Sequence, residues 1–212
     1  MQHTDITAAE KAYLTLLREE CRRLFEGTPM PSHDHLHHER VWKNASLLLQ
    51  RLYDAGMLYD RRMPVKAIIA AFFHDTGLTV NSGPDHGRES RKLCNSFLQL
   101  TDIKEEEIDE ILDAVERHDD KNYAAESDPA SLAAIISVAD DMDAFGKEGI
   151  GRYREIYSMR GITDDDMPRL VITNVLSRFR HMESTYYMFP ELVDEQRKRV
   201  EEVTYYFSNI IK

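Results

Sequence analysis

The sequence has few cysteines and no long apolar run. Its two cysteines, Cys21 and Cys94, are too few for a disulfide framework and form no Cys-x-x-Cys pair. We therefore expect two reduced thiols in a cytoplasmic protein. No apolar run approaches the roughly 18–20 residues of a membrane span, so no membrane partner is expected. The opening residues MQHTDITAAEK lack an apolar region, so no signal peptide is expected.

Positive charge is also in deficit. The chain has 27 Lys and Arg against 38 Asp and Glu, which gives a net charge of −11 at pH 7. A general nucleic-acid-binding surface would be basic, so none is expected. A small phosphorylated partner stays compatible with this charge, because a bound metal can reverse the local field.

Strand signals are missing as well. No segment alternates convincingly between apolar and polar residues, and no Asn-Gly or Asp-Gly hairpin turn is present. The periodicity is helical almost throughout, which predicts an all-α fold. The predicted helices cover about residues 6–25, 35–55, 64–77, 86–100, 102–118, 128–146, 150–159, 163 to the break at Pro190, and 191–211. The predicted N-caps are Thr4 or Thr7, Ser32 or Asp34, Asp102, and Ser127 or Asp128.

A strongly polar pair, His74 and Asp75, follows the apolar run VKAIIAAFF. A buried charge is costly unless it is paired or bound to a metal. Neighbouring residues within a helix diverge by about 100°, but near a helix end both can turn towards one cation. A carboxylate with an imidazole suits Mn, Fe, Co, Ni or Mg. The absence of cysteine ligands argues against a structural zinc site.

Three further histidines lie on or beside predicted core-facing helices. His37 shares a helical face with Val41 and Leu48, and His118 occupies the next position of an apolar stripe. His86 opens the fourth helix. For each of these histidines, a core or surface position without a metal is the alternative interpretation.

Asp140 ends another apolar segment, SLAAIISVAD, and shares a helical face with Ile136 and Asp143. The segment contains no Lys or Arg, so a buried carboxylate there needs a partner from elsewhere, and a cation is the simplest one. Asp141 competes for this role, since periodicity is weak in so apolar a helix.

These residues follow the order His, His-Asp, His, His, Asp. This ordered set resembles the HD-domain superfamily of metal-dependent phosphohydrolases over about residues 33–155. The best-matching segments are His37-x-x-Arg40-Val41, His74-Asp75, His86-Gly-x-x-Ser90 and Ala139-Asp140-x-x-Asp143-Ala144-x-Gly146. The last is similar to a segment of bacterial stand-alone HD hydrolases. The resemblance implies an HD-type helical bundle with a central metal site, as a single domain over residues 1–212. The N-terminal helix 5–27 and the C-terminal helices 163–211 would pack on its core.

The resemblance also implies a set of metal ligands. The four common ligands of the superfamily fall on His37, His74, Asp75 and Asp140. The two additional histidines of its two-metal members fall on His86 and His118, and Asp75 would then bridge two ions. Members with one metal can also carry both extra histidines, so one and two divalent ions (Fe, Mn, Mg, Ni or Co) both stay open. Asp75 and His74 are the predicted catalytic residues.

Substrate contacts are expected from cationic residues near this set. Arg40, Lys43 and Arg152 are candidates for phosphate binding, and Asp143 either orients a ligand or lies on the surface. The segment KEGIGRYRE offers helix-start N–H groups and Arg152 to an anion. A turn followed by a solvated helix explains that segment equally well, and Arg40 can also form an ordinary ion pair.

Four other histidines are less informative. His38 is predicted to face outward. His33 and His35 are open to a capping, supporting or merely exposed role, and no partner can be named for His181 from the sequence.

The implied function is metal-dependent hydrolysis of a phosphate ester or anhydride in a small nucleotide-like substrate. The metals would hold the phosphate, make hydroxide from bound water and stabilise the leaving oxygen. A mixed-valence di-iron oxygenase of the HD type and a non-catalytic metal-binding sensor module are the alternatives. Aromatic and Met residues in the C-terminal third predict core packing, with a homodimer face as a further use.

Overall fold

All regular structure in the described part of the chain is helical, which confirms the all-α prediction. The structure is a computed structural model that describes residues 3–28, 30–83, 85–120 and 128–209. Its α-helices are α1 (His3–Phe25), α2 (His35–Asp54), α3 (Met63–Phe73), α4 (His86–Leu98), α5 (Glu105–Glu116), α6 (Leu132–Asp143), α7 (Gly146–Met159), α8 (Met167–Tyr186) and α9 (Pro190–Ser208). Within these ranges no helix is long and apolar enough to span a membrane.

The chain divides into two compact units, Met1–Ala139 and Asp140–Lys212, with the boundary inside α6. In the first unit α3 is central, because it packs against α1, α2, α4 and α5. Every residue of α3 is buried, as its apolar sequence predicts. In the second unit α9 packs against both α7 and α8. The single-domain organisation stays a prediction.

The end of α3 differs from its predicted position near Gly77. Pro64 lies in the first turn as predicted, but the helix ends at Phe73 and a short 3₁₀ helix, Thr76–Thr79, follows. The Thr76 hydroxyl donates to the Phe73 carbonyl at 2.8 Å, which satisfies one of the groups that a helix end leaves unpaired. The polar pair that follows α3 is therefore placed at a turn rather than inside a helix.

The predicted N-caps have mixed outcomes. The Asp34 carboxylate caps α2 by accepting from the backbone N–H groups of Leu36 at 3.0 Å and His37 at 3.2 Å. Asp102 does not cap α5; Lys104 holds that position, and Asp102 accepts a hydrogen bond from Tyr13 instead.

Two other helices begin at residues that differ from the predicted ones. α1 begins at His3, which places Thr4 and Thr7 inside the helix rather than at its start. α6 begins at Leu132, where the Ser131 hydroxyl accepts from the Ala134 N–H at 3.2 Å. The alternative cap Ser127 and the predicted last residues 210–211 of α9 lie outside the described residues.

The prediction that His38 faces outward is wrong, because this side chain is fully buried. Its ring packs beside Phe25 and His74, and its Nδ1–H donates to the Ala71 carbonyl at 3.1 Å. Burial, reinforced by the neighbouring His74 and His37 rings, holds the pKa of His38 well below its usual value. The buried face of α2 is thus wide enough to include two consecutive histidines.

Two glycines allow close approach of the elements that carry the histidines. A Cβ on Gly77 would overlap with the backbone of His86 and Ser90, and a Cβ on Gly87 would overlap with the Glu116 carbonyl. The Gly77 N–H also donates to the buried Ser90 hydroxyl at 2.8 Å. α4 can therefore lie directly against the 3₁₀ helix and the end of α5.

We predict that Gly87→Ala lowers the free energy of unfolding by about 1–3 kcal/mol, the usual effect of overpacking. The backbone of Gly87 is not left-handed, so the added methyl group, and not strain in φ, is the cause. Urea denaturation followed by circular dichroism measures this change.

Gly151→Ala is the matched control, since Gly151 lies exposed within α7 and has nothing within 4 Å of the added Cβ. This control should leave stability unchanged or raise it by up to ~1 kcal/mol through helix propensity. Equal midpoints for Gly87→Ala and the unmodified chain would contradict the proposed close packing of α4.

Candidate metal centre

The carboxylate of Asp75 lies at the centre of four histidines of the first unit. Its Oδ1 atom is 3.0 Å from His118 Nε2 and 3.4 Å from His86 Nε2. Its Oδ2 atom is 3.5 Å from His37 Nε2 and 3.5 Å from His74 Nε2. Each carboxylate oxygen therefore faces a different pair of imidazoles.

The two members of each histidine pair also face each other through their Nε2 atoms. His37 Nε2 lies 3.1 Å from His74 Nε2, and His86 Nε2 lies 3.4 Å from His118 Nε2. His37, His74 and His118 are buried, and His86 is half-buried. Four ring nitrogens thus converge on one carboxylate with little access to water.

The other ring nitrogen of three of these histidines bonds to a backbone carbonyl. His74 Nδ1 lies 2.9 Å from the Ala71 oxygen, and His118 Nδ1 lies 2.9 Å from the Val115 oxygen. His86 Nδ1 has the corresponding bond, at 3.1 Å, to the carbonyl three residues before it. A carbonyl only accepts, so Nδ1 carries the proton and the neutral ring presents a lone pair at Nε2.

This arrangement requires positive charge between the rings and the carboxylate. Burial alone raises the pKa of Asp75, but His74 and hydrogen bonds from His118, His37 and His86 hold it well below the usual value. The hydrogen bond to Asp75 correspondingly raises the pKa of His86 to about 9, against the effect of its burial. Protons on the rings can supply this charge, and so can a divalent cation.

The donor set fits a divalent metal. Asp75, His86 and His118 each offer a ligand atom, and these atoms lie within 4.8 Å of one another. Imidazole with carboxylate is a donor set for Mn, Fe, Co or Ni, and the Nδ1–H bonds to carbonyls are the usual support of metal-ligating histidines. Within the described ranges, the first unit therefore brings five of the six predicted ligands together.

The sixth predicted ligand, Asp140, is the first residue of the second unit and is buried. Its Oδ2 atom accepts from Arg178 Nη1 at 2.9 Å, and Arg152 Nη1 lies 4.0 Å from its Oδ1 atom. The partner that this carboxylate requires therefore includes a guanidinium from 38 positions away. Its role as a metal ligand stays a prediction.

Asp141, the competing candidate, is engaged by other residues of the second unit. Its Oδ1 atom accepts from Arg178 Nη1 at 2.9 Å, and its Oδ2 atom accepts from His181 Nδ1 at 2.6 Å. No local pattern indicates these contacts, because the partners lie 37 and 40 positions away. His181, for which no partner could be named, has one here.

The predicted substrate contacts are placed as follows. Asp143 is buried and accepts from Arg152 Nη1 at 2.9 Å, so its surface alternative is wrong. On α2, Arg40 is half-buried and Lys43 is exposed. Their contacts with a substrate stay predictions.

Sequence reasoning left the role of His33 open, and the structure places it near the centre. His33 Nε2 lies 3.8 Å from Asp75 Oδ2, and its ring packs edge-on against His37. The 3₁₀ helix Pro31–His33 that leads into α2 positions this side chain. The extended residue Asp34 separates His33 from α2, so helical spacing from His37 does not predict this position.

Comparisons with known proteins agree with this geometry. The family model described as HD domain matches residues 36–144, which is more than half of the chain and includes all six predicted metal ligands. Curated proteins and solved structures give no match. The family is of the metal-dependent phosphohydrolase type, and its members bind divalent metals. On the extent of this match, the chain belongs to the HD domain family.

Proposed function

We propose that this protein is a phosphohydrolase that cleaves a phosphate ester or anhydride of a small nucleotide-like molecule. The observation that carries the proposal is the position of Asp75, with each carboxylate oxygen facing its own histidine pair. A carboxylate so placed is suited to bridging two ions, and paired ions are typical of phosphoester hydrolysis.

Two ligand groups follow from this proposal. We assign His37, His74, Asp75 and Asp140 to one ion, and Asp75, His86 and His118 to the other. The first group rests on the order of ligands in the HD family, and the second on the atoms within 4.8 Å of one another. When bound, the metals would polarise phosphoryl oxygens and make hydroxide available near neutral pH.

The protein's own contribution is to orient these groups and to keep one of them anionic. The low pKa of Asp75 keeps its carboxylate ionised at neutral pH. It can therefore accept a hydrogen bond from the attacking water and align it. The carbonyl bonds to His74, His86 and His118 fix the rings, so no reorganisation is needed when substrate arrives.

Arg152 is our candidate for the phosphate contact. Its Nε atom is buried and has no hydrogen-bond acceptor among the residues that the structure describes. Its Nη1 atom is held by Asp143, so we assign Asp143 to orienting Arg152 rather than to touching the substrate. A phosphate oxygen would supply the acceptor that Nε requires and would form a charge-assisted hydrogen bond. Arg40 and Lys43 are further candidates for phosphate contacts.

We predict that the purified protein binds two equivalents of Mn²⁺ and that His118→Ala binds about one. Removing His118 disrupts the second ligand group, whereas the group around His37 and His74 keeps its members. Asp75→Ala should lose both ions, because Asp75 belongs to both groups. Equilibrium dialysis with elemental analysis measures the stoichiometry.

His35→Gln is the control, since His35 lies on the first turn of α2 outside both groups. It should bind as many ions as the unmodified protein. Full Mn²⁺ binding by the Asp75→Ala variant, with its helical circular dichroism retained, would overturn the assignment.

We predict phosphate or pyrophosphate release from nucleoside mono-, tri- or dinucleotides that stops on chelation and returns with Mn²⁺ or Mg²⁺. Arg152→Gln should raise KM by about 10- to 100-fold, because a charge-assisted contact of ~1.5–3 kcal/mol is lost. Steady-state assays with and without oxygen measure both effects.

Arg169→Gln is the matched control, because Arg169 is exposed on α8. Its KM should stay within about twofold of the unmodified value. Turnover that requires iron and oxygen would favour the di-iron oxygenase instead. Metal binding without turnover on the whole substrate panel would favour the sensor module.

A further inference from the structure

A second cluster of charged groups, in which the two carboxylates are buried and Arg178 is half-buried, joins α6 to α8 within the second unit. Arg178 Nη1 contacts two consecutive carboxylates, Asp140 Oδ2 and Asp141 Oδ1, each at 2.9 Å. Arg178 Nε lies 3.2 Å from Asn174 Oδ1, which also accepts from the Tyr153 hydroxyl at 2.8 Å. The guanidinium is therefore fixed at both ends.

The two carboxylates have different partners despite being neighbours in sequence. Asp141 is fully buried, with one oxygen on Arg178 and the other on His181 Nδ1 at 2.6 Å. Asp140 shares the same Arg178 nitrogen but not the histidine. His181 thus distinguishes between the two carboxylates.

The side chain of His181 is buried, and its contact with Asp141 compensates for that burial. Only 8% of the residue is exposed, and its Nε2 atom has no hydrogen-bond partner within the described ranges. Leaving a buried ring nitrogen unsatisfied costs about 1–3 kcal/mol. The short bond from Nδ1 to Asp141 is the interaction that offsets this cost.

We propose that His181 and Arg178 are positioning residues. They hold the Asp141 carboxylate in place, so that it cannot turn towards the metal, and leave Asp140 as the carboxylate that binds it. This inference rests on the proposed function, in which Asp140 is a ligand of one ion. With both oxygens of Asp141 engaged, its carboxylate cannot turn towards a cation without breaking two buried charged contacts. Partners of this kind typically change metal affinity by 10–100-fold when they are removed.

Two amide substitutions separate this role from simple packing. In His181→Asn the amide nitrogen can take the position of Nδ1 and keep the bond to Asp141. In His181→Gln the amide lies further out, near the position of Nε2, and the bond is lost. Both variants replace an imidazole with the same functional group, so each controls for the other.

We predict that His181→Gln weakens binding of the Mn²⁺ ion assigned to Asp140 by about 10- to 100-fold. The affinity of His181→Asn for this ion should stay within about threefold of that of the unmodified protein. Equilibrium dialysis gives the affinities, and thermal unfolding of the metal-free chains monitors the fold. Equal affinities for the Gln variant and the unmodified protein would overturn the inference.

The route through Asp141 is tested by a double-mutant cycle. Asp141→Asn removes the competing carboxylate, so adding His181→Gln to it should weaken Mn²⁺ binding by less than about threefold. A full further loss in this background would show that His181 does not act through Asp141, and would overturn the inference.

The outcomes for the unmodified protein separate the two proposals. If it binds no Mn²⁺, the proposed function fails at its first step, and this inference fails with it. If it binds Mn²⁺ and the His181 variants bind equally, only the positioning role fails. Should His181→Gln not fold, Arg178→Lys provides the second test, because one ammonium cannot reproduce the fixed guanidinium and should weaken binding by a similar factor.

Discussion

The hydrogen bonds from histidine Nδ1 atoms to backbone carbonyls are the constraint on which the candidate site depends. In His74, His86 and His118 the ring bonds to the carbonyl three residues earlier. His74 and His118 follow the ends of α3 and α5, where the last carbonyls of a helix lack intrahelical partners. The helix ends therefore both place these rings and hold a proton on each Nδ1 atom, so that the Nε2 atoms face Asp75.

Convergence of the rings then depends on how closely the helices approach. His86 and His118 come from α4 and α5, and Gly87 lies directly against the Glu116 carbonyl. Gly77, which follows Asp75 by two residues, lies equally close to His86. A methyl group at either position would separate elements that must bring ligand atoms within a few ångströms. Small residues beside the histidines are thus as necessary to this geometry as the histidines themselves.

Much of this arrangement could be predicted from the sequence, for identifiable reasons. The apolar run of α3 and the stripe leading to His118 fixed the fold class, because helical periodicity is a local signal. Burial of His38 was not predictable in the same way, since the width of the buried face of α2 depends on its neighbours. The sequence predicts Asp102 as a helix cap, but its carboxylate accepts a hydrogen bond from Tyr13, 89 positions away, instead.

Local sequence patterns do not decide whether Asp140 or Asp141 is the candidate metal ligand. In an almost wholly apolar helix either residue can be the one that meets a cation, and periodicity does not separate them. His181 does separate them, because it contacts Asp141, whereas Arg178 contacts both carboxylates at the same distance. These partners come from α8, whose sequence reads as ordinary amphipathic helix. On the proposed assignment, the preference for one carboxylate comes from long-range charge pairs, whose energies depend on desolvation and geometry that no local pattern encodes.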